Sequence, residues 1–187
     1  MIFAFSTSSP IVSIAVFNKG GDVLFSGELE SKQEASNACL QLLAKSGFSV
    51  LEGSLFLADL GPGSFTGTRV GVTLAKTLAW SADAACSGVS AFDLISTEKT
   101  VVFPSKRGEW FIRPPGSEVS RSASRPELEF IGFGPGIENP VYPHAKMFAP
   151  LLSSLEQIQP EQLAPLYLID PSISQPKQPL SRVEGIV

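Results

Sequence analysis

Histidine is nearly absent: the 187-residue chain carries one, His144. That count excludes any zinc site built on two histidines, HExxH included. A Ser-His-Asp or Cys-His device would have to use His144. It stands in Pro140-Val141-Tyr142-Pro143-His144 with no nucleophile motif nearby, so loop polarity is its expected role. Cysteine is scarce too, and Cys39 and Cys86 cannot build a disulfide framework; they fit a reducing compartment. No apolar run approaches the roughly 18 residues of a membrane-spanning helix, and Met1–Ser6 lacks the basic segment of a secretory leader. The expectation is a soluble, cytoplasmic protein with no membrane contact. Charged residues make up only 17%, and the net charge of −4 argues against a broad nucleic-acid footprint. Hydrophobic residues reach 43%, which excludes disorder and permits a core without disulfides.

Proline is scarce in the first half. Only Pro10 and Pro62 precede residue 101, and the other 13 of 15 follow it. Proline fixes φ and removes a backbone donor, so residues 99–187 should form a reduced second domain of short strands, turns and loops. Residues 1–98 read as a regular α/β domain. Met1–Phe5, Ile11–Phe17 and Val23–Leu29 are strand candidates, the last two joined by Asn18-Lys19-Gly20-Gly21-Asp22, a hairpin signal. Ser31–Ser46 reads as a helix, with Ser31 and Glu34 as a capping box and Gly47 as C-cap. Ala35, Ala38, Cys39, Leu42 and Leu43 share a face, and the small residues suit close approach by another helix or ordinary packing on the sheet. A buried strand over Ser54–Leu60, a helix over Phe65–Ser81, a strand over Ala85–Val89 and a short helix from Ser90 complete a βββ-α-β-α-β-α order. Three antiparallel strands followed by βαβ crossovers predict a mixed sheet covered by helices.

Gly61-Pro62-Gly63-Ser64-Phe65-Thr66-Gly67-Thr68-Arg69-Val70-Gly71 is the most specific segment. It turns from a strand into a helix, with positive φ expected at Gly61 and Gly63, and Ser64 or Thr66 as cap. If Gly63 and Gly67 hold positive φ, alanine at either costs about 1 kcal/mol or more. Free N–H groups at the helix start, with Arg69 beside them, would suit an anion. The spacing is neither GxGxxG nor GxxxxGK[ST]. The alternative is that Gly67 and Gly71, four apart on one face, let another element approach closely.

This loop resembles the signature of the bacterial TsaB (YeaZ) proteins, with further likeness at Met1–Thr7 and Gly88-Val89-Ser90 and fainter echoes at Arg107-Gly108-Glu109 and Pro165-Leu166-Tyr167-Leu168. The resemblance implies an actin/Hsp70/sugar-kinase-like (ribonuclease H-like) fold: a mixed β-sheet domain flanked by helices, with a second, smaller domain. It also implies a noncatalytic partner for the paralogue TsaD, which transfers the threonylcarbamoyl group to tRNA, with the ATPase TsaE binding the pair. Such a subunit needs no cofactor or metal of its own and touches tRNA only indirectly. It would dock through its first two helices, here Ala35, Ala38, Cys39, Leu42, Gly67, Arg69, Gly71, Leu74 and Leu78, and could pair with itself when alone.

Several positions depart from the family pattern. Ile-Asp-Thr at the end of the first strand is Phe5-Ser6-Thr7 here, and a hard cation prefers the carboxylate that Ser6 lacks. Gln33-Glu34-Ala35-Ser36 replaces a region that often holds a histidine, Pro104-Ser105-Lys106-Arg107-Gly108-Glu109 replaces Asp-Ala-Arg-x-Gly-Glu, and Ile169 stands for an arginine. These losses favour a scaffold over the alternative, a nucleotide-dependent kinase or ATPase of the same fold, in which Asp59 would be the acid near the glycine loop. A metallopeptidase is opposed by the histidine count. Lys99, Lys106, Arg107, Arg113, Arg121 and Arg125, interleaved with Trp110 and Phe111 and offset by Glu98, Glu109 and Glu118, read as a solvated face or a minor tRNA contact.

Overall fold

Alternating apolar residues commit the first 30 residues to strands, and the computed structural model of the chain forms them as expected. It describes residues 1–31, 34–105 and 108–168. Strands β1 (Ile2–Ser6), β2 (Ile11–Phe17) and β3 (Val23–Glu30) make an antiparallel meander. Strands β4 (Leu55–Asp59) and β5 (Ala85–Val89) then add in parallel, giving the order β3-β2-β1-β4-β5. The central strands β1, β2 and β4 are buried almost throughout, which explains their near-continuous apolar runs.

Helices α1 (Ala35–Ser46) and α2 (Phe65–Ser81) cover one face of this sheet, over a core that includes Phe3, Phe5, Ile14, Leu42, Phe56 and Val72. Gly47 closes α1 at φ 72°, the left-handed cap expected of it. The start of α1 lies later than the sequence suggested. Ser31 Oγ does accept the Glu34 N–H at 3.2 Å, but Ala35 is the first helical residue and Glu34 makes no side-chain cap. Ser64 and Ser90 cap α2 and α3 (Ala91–Ile95) by accepting the N–H groups of Gly67 and Asp93.

After α3 a second, four-stranded sheet of order β8-β7-β6-β9 forms from β6 (Val101–Pro104), β7 (Trp110–Arg113), β8 (Ser120–Ser122) and β9 (Ile131–Gly132). Its core of Val101, Phe103, Phe111 and Phe133 joins Ala91, Phe92 and Ile95 of α3. Arg113 ties the two, pairing with Asp93 at 2.9 Å and donating to the Ser96 carbonyl at 2.6 Å. The chain then returns. A run of 3₁₀ turns over Ala145–Ser154 places Ala145 and Phe148 against Ala4, Phe17 and Leu57 on the face of the first sheet opposite α1 and α2. His144 caps that run, its Nδ1 accepting from the Lys146 N–H while Nε2 meets Glu28 at 3.0 Å, the loop role its position suggested.

Candidate docking face and glycine loop

The glycine loop is built around the turn that links β1 to β2. Gly61 takes φ 84° as expected, and its N–H donates to Asp59 Oδ1 at 2.9 Å. Gly63 and Gly67 do not lie at positive φ, contrary to the sequence reading. They are required by proximity: a Cβ on Gly63 would stand 2.1 Å from the Ser8 carbonyl oxygen, and one on Gly67 2.1 Å from that of Thr7. A Cβ on Gly71 would meet Thr7 Oγ1 at 2.4 Å. Thr7 Oγ1 donates to the Gly67 carbonyl at 2.7 Å, and the Ser64 N–H donates to the Ser8 carbonyl at 2.6 Å. Of the two uses left open for these glycines, close approach by another element accounts for their places. Two N–H groups at the start of α2, those of Ser64 and Gly67, are already taken by Ser8 and the Ser64 hydroxyl.

Below the loop, Asp59 is fully buried between the ends of β1 and β4. Ser6 Oγ donates to its Oδ2 at 2.9 Å and Ser8 Oγ at 2.5 Å. Burial raises its pKa above the ordinary aspartate value of 3.8, against the lowering effect of those hydrogen bonds. The alternative reading of the chain as a kinase or ATPase would need a carboxylate free to hold a metal ion here. Ser6 supplies a hydroxyl instead and spends its proton on Asp59. Among the described residues no three His, Cys, Asp or Glu side chains gather as a metal site.

The two helices sort the predicted interface residues into two groups. Ala38, Cys39, Leu42, Gly67 and Gly71 are buried within the chain's own fold. They are spent on packing inside the chain. Burial pushes the Cys39 thiol up to about 12 and that of Cys86 to about 11, so both are unreactive. Arg69 is exposed, while Ala35, Leu74 and Leu78 are half-buried. Between α1 and α2 runs a groove of about 510 Å³, lined by Ser36, Leu40, Phe65, Val70, Thr73 and Leu74 among others. Leu40 is 60% exposed and Phe65 50%, and Arg69 lies over the Phe65 ring at 5.3 Å. Tyr167 flanks Phe65, their ring centroids 5.4 Å apart. Leu40, Thr73 and Thr77 escaped the sequence reading, although i+3 and i+4 counting along α2 from Val70 finds the last two.

This architecture recurs in known proteins. YeaZ from Pseudomonas aeruginosa superposes with a TM-score of 0.66 over 89% of this chain and 99% of that one, at 18% identity. A second structure, described as an uncharacterized protein with similarity to peptidase YEAZ from the same organism, gives 0.71 over 90% and 99%, also at 18% identity. In sequence, the family described as TsaD, tRNA N6-adenosine threonylcarbamoyltransferase, matches residues 28–105. The Bacillus subtilis protein described as tRNA threonylcarbamoyladenosine biosynthesis protein TsaB is 45% identical over 56 residues. The fold is the mixed α/β one of those two structures, with a second small sheet. That sequence match covers 26% of this chain and 24% of the curated relative's length.

Among the described residues, the remaining sequence-predicted ones do not line the groove. Arg113 is 8% exposed and committed to Asp93 and Ser96, while Arg121 and Arg125 lie over the rings of Phe111 and Phe130 at 5.4 Å each. Gln33, Lys106, Arg107 and Ile169 lie outside the described residues. No helix among the described residues is long and apolar enough to cross a membrane.

Proposed function

We propose that this chain is the noncatalytic partner subunit of a TsaD-type threonylcarbamoyl transferase, required for forming threonylcarbamoyladenosine on tRNA. The observation that carries the reading is the apolar groove between α1 and α2, with Leu40 and Phe65 half or more exposed on it. The segment matched by the TsaD family, 28–105, contains both helices, which suits a pair of paralogues meeting through equivalent faces. The curated TsaB relative supplies the process. Docking buries the walls of the groove against two partner helices. A specific interface of this kind removes about 1,600 Å² in total from water. Arg69, already stacked on Phe65, supplies the polar rim.

The subunit is noncatalytic on this reading because Ser6 offers no carboxylate to a metal-bound phosphate and Asp59 is enclosed by three donors. Its contribution is thermodynamic: binding one conformation of the transferase better than the others raises that conformation's population. A TsaE-like ATPase joins the pair, tRNA is met only through the partner, and the chain pairs with itself through the same groove when the partner is missing. The setting is the cytoplasm.

The test is co-purification with a TsaD-type protein using Leu40→Asp and Thr73→Arg, both on exposed positions. Each should weaken the complex at least about tenfold, a loss of roughly 1.4 kcal/mol, while melting temperatures stay within a degree or two. Wild-type affinity in both variants would defeat the docking assignment. Tight, magnesium-dependent ATP binding by the isolated chain in a calorimeter would favour the kinase alternative instead.

A further inference from the structure

Strand β5 forms an edge of the first sheet, and that edge is only partly used. The Leu60 N–H donates to the Val89 carbonyl at 2.9 Å, so the odd-numbered residues of β5 turn their main-chain groups toward β4. The even-numbered ones face outward. Cys86 there donates to the Ile158 carbonyl at 2.9 Å and accepts from the Ile158 N–H at 2.8 Å, a single antiparallel bridge made by the returning chain. The same alternation points the N–H and C=O of Gly88 outward one step further along. Among the described residues no bridge stands opposite Gly88.

A cavity of about 350 Å³ opens at that step. Its apolar walls are Leu60, Leu155, Ile158 and Leu163, and it reaches round both faces of the strand to Ser87. Ser87 is 3% exposed, and its hydroxyl has no protein partner among the described residues. Leu60 closes one side so tightly that a Cβ on Gly88 would stand 2.5 Å from it. Glu156, exposed at the rim, makes no ion pair among the described residues.

We propose that this notch binds one unit of an extended, basic peptide segment, which continues the sheet edge beside Gly88. A donor and an acceptor side by side on one edge call for a group that presents both, and a peptide unit does so in the strand-addition mode. Ile158 already docks in that mode one step away. The apolar walls take the aliphatic stem of the segment's side chain, and Glu156 takes its cationic head. The notch is separate from the α1/α2 groove, and its test needs no transferase.

The experiment is an ¹⁵N-resolved NMR titration of the full chain with acetyl-Ala-Lys-Ala-amide. The Gly88 amide should move saturably, with a dissociation constant in the millimolar range or below, and the same peptide N-methylated along its backbone should bind at least about tenfold more weakly. Glu156→Gln should weaken the lysine peptide about three- to fivefold and leave acetyl-Ala-Ala-Ala-amide unchanged. Three outcomes overturn the proposal. They are no saturable shift by about 10 mM peptide, equal binding of the N-methylated peptide, or hydrogen exchange at Gly88 in the free protein as slow as at Cys86. The last would mean that the chain's own 155–157 segment already closes the edge.

Discussion

A glycine can be demanded by its neighbours as firmly as by its own torsion. Gly63 and Gly67 have ordinary φ, yet a Cβ on either would collide with a carbonyl oxygen of the β1–β2 turn. Alanine at either position must push Thr7–Ser8 away from α2, and forced backbone shifts of this kind cost about 1–3 kcal/mol. Thermal melts of Gly63→Ala and Gly67→Ala should each fall by several degrees, whereas Gly116→Ala, with open space around it, loses only what its positive φ costs. Asp59 gives a second prediction, on pH. Its folded pKa lies above 3.8, so the folded state keeps its proton to a higher pH than the unfolded chain does. The stability linked to it is fully present below the unfolded value and is lost as pH rises through the folded one. Urea titrations of Asp59→Asn should therefore lack that decline, and the variant should gain on the wild type from pH 4 upward. An unchanged pH slope would mean that Asp59 stays ionised inside the fold.

Helices show where sequence periodicity stops informing. The spacing of Ala35, Ala38, Cys39 and Leu42 marks the apolar face of α1 correctly, but periodicity does not say what that face meets. Small residues read equally well as a seam for a partner helix or as a fit onto a sheet. Here the fit is onto the sheet, and the outward side holds Ser36 and Leu40. Caps were legible for a different reason. Gly47, Ser64 and Ser90 act within a turn of their own position, so no distant residue can overrule them. The close approach behind Gly63, Gly67 and Gly71 involves residues more than 50 positions away, and only the spacing of the glycines hinted at it. The two sides of α1 should answer differently to mutation. Ala38→Leu overfills a site that is 6% exposed and should lower stability by about 1–3 kcal/mol. Ser36→Arg, on the groove, should stay within about 0.5 kcal/mol by chemical denaturation while impairing partner binding.

At the scale of the whole molecule, the proline-rich half is organised by contacts that no local pattern announces. Its strands are two to four residues long, and the 3₁₀ run from Ala145 matters for what it covers. Phe148 is fully buried in a core made largely of β1, β2 and β4 side chains, and Ser13 Oγ accepts the Ala145 N–H at 2.9 Å. Residues 96–100 therefore lie between the two sheets in sequence, while the later segment laces back onto the first. The chain's two tryptophans can test whether this lacing couples them, since Trp80 lies on α2 and Trp110 on β7. In Trp80→Phe and Trp110→Phe proteins, each remaining fluorophore reports one sheet. Their urea midpoints should coincide, because Arg113 joins the second sheet to α3 and the 3₁₀ run seals the first. Phe148→Ala removes a fully buried ring and should cost about 3–5 kcal/mol. It should lower both midpoints together, although Phe148 belongs to the first sheet's core. If Trp110 unfolds at its original midpoint in Phe148→Ala, the second sheet stands on its own, and residues 99–142 form an independently stable unit.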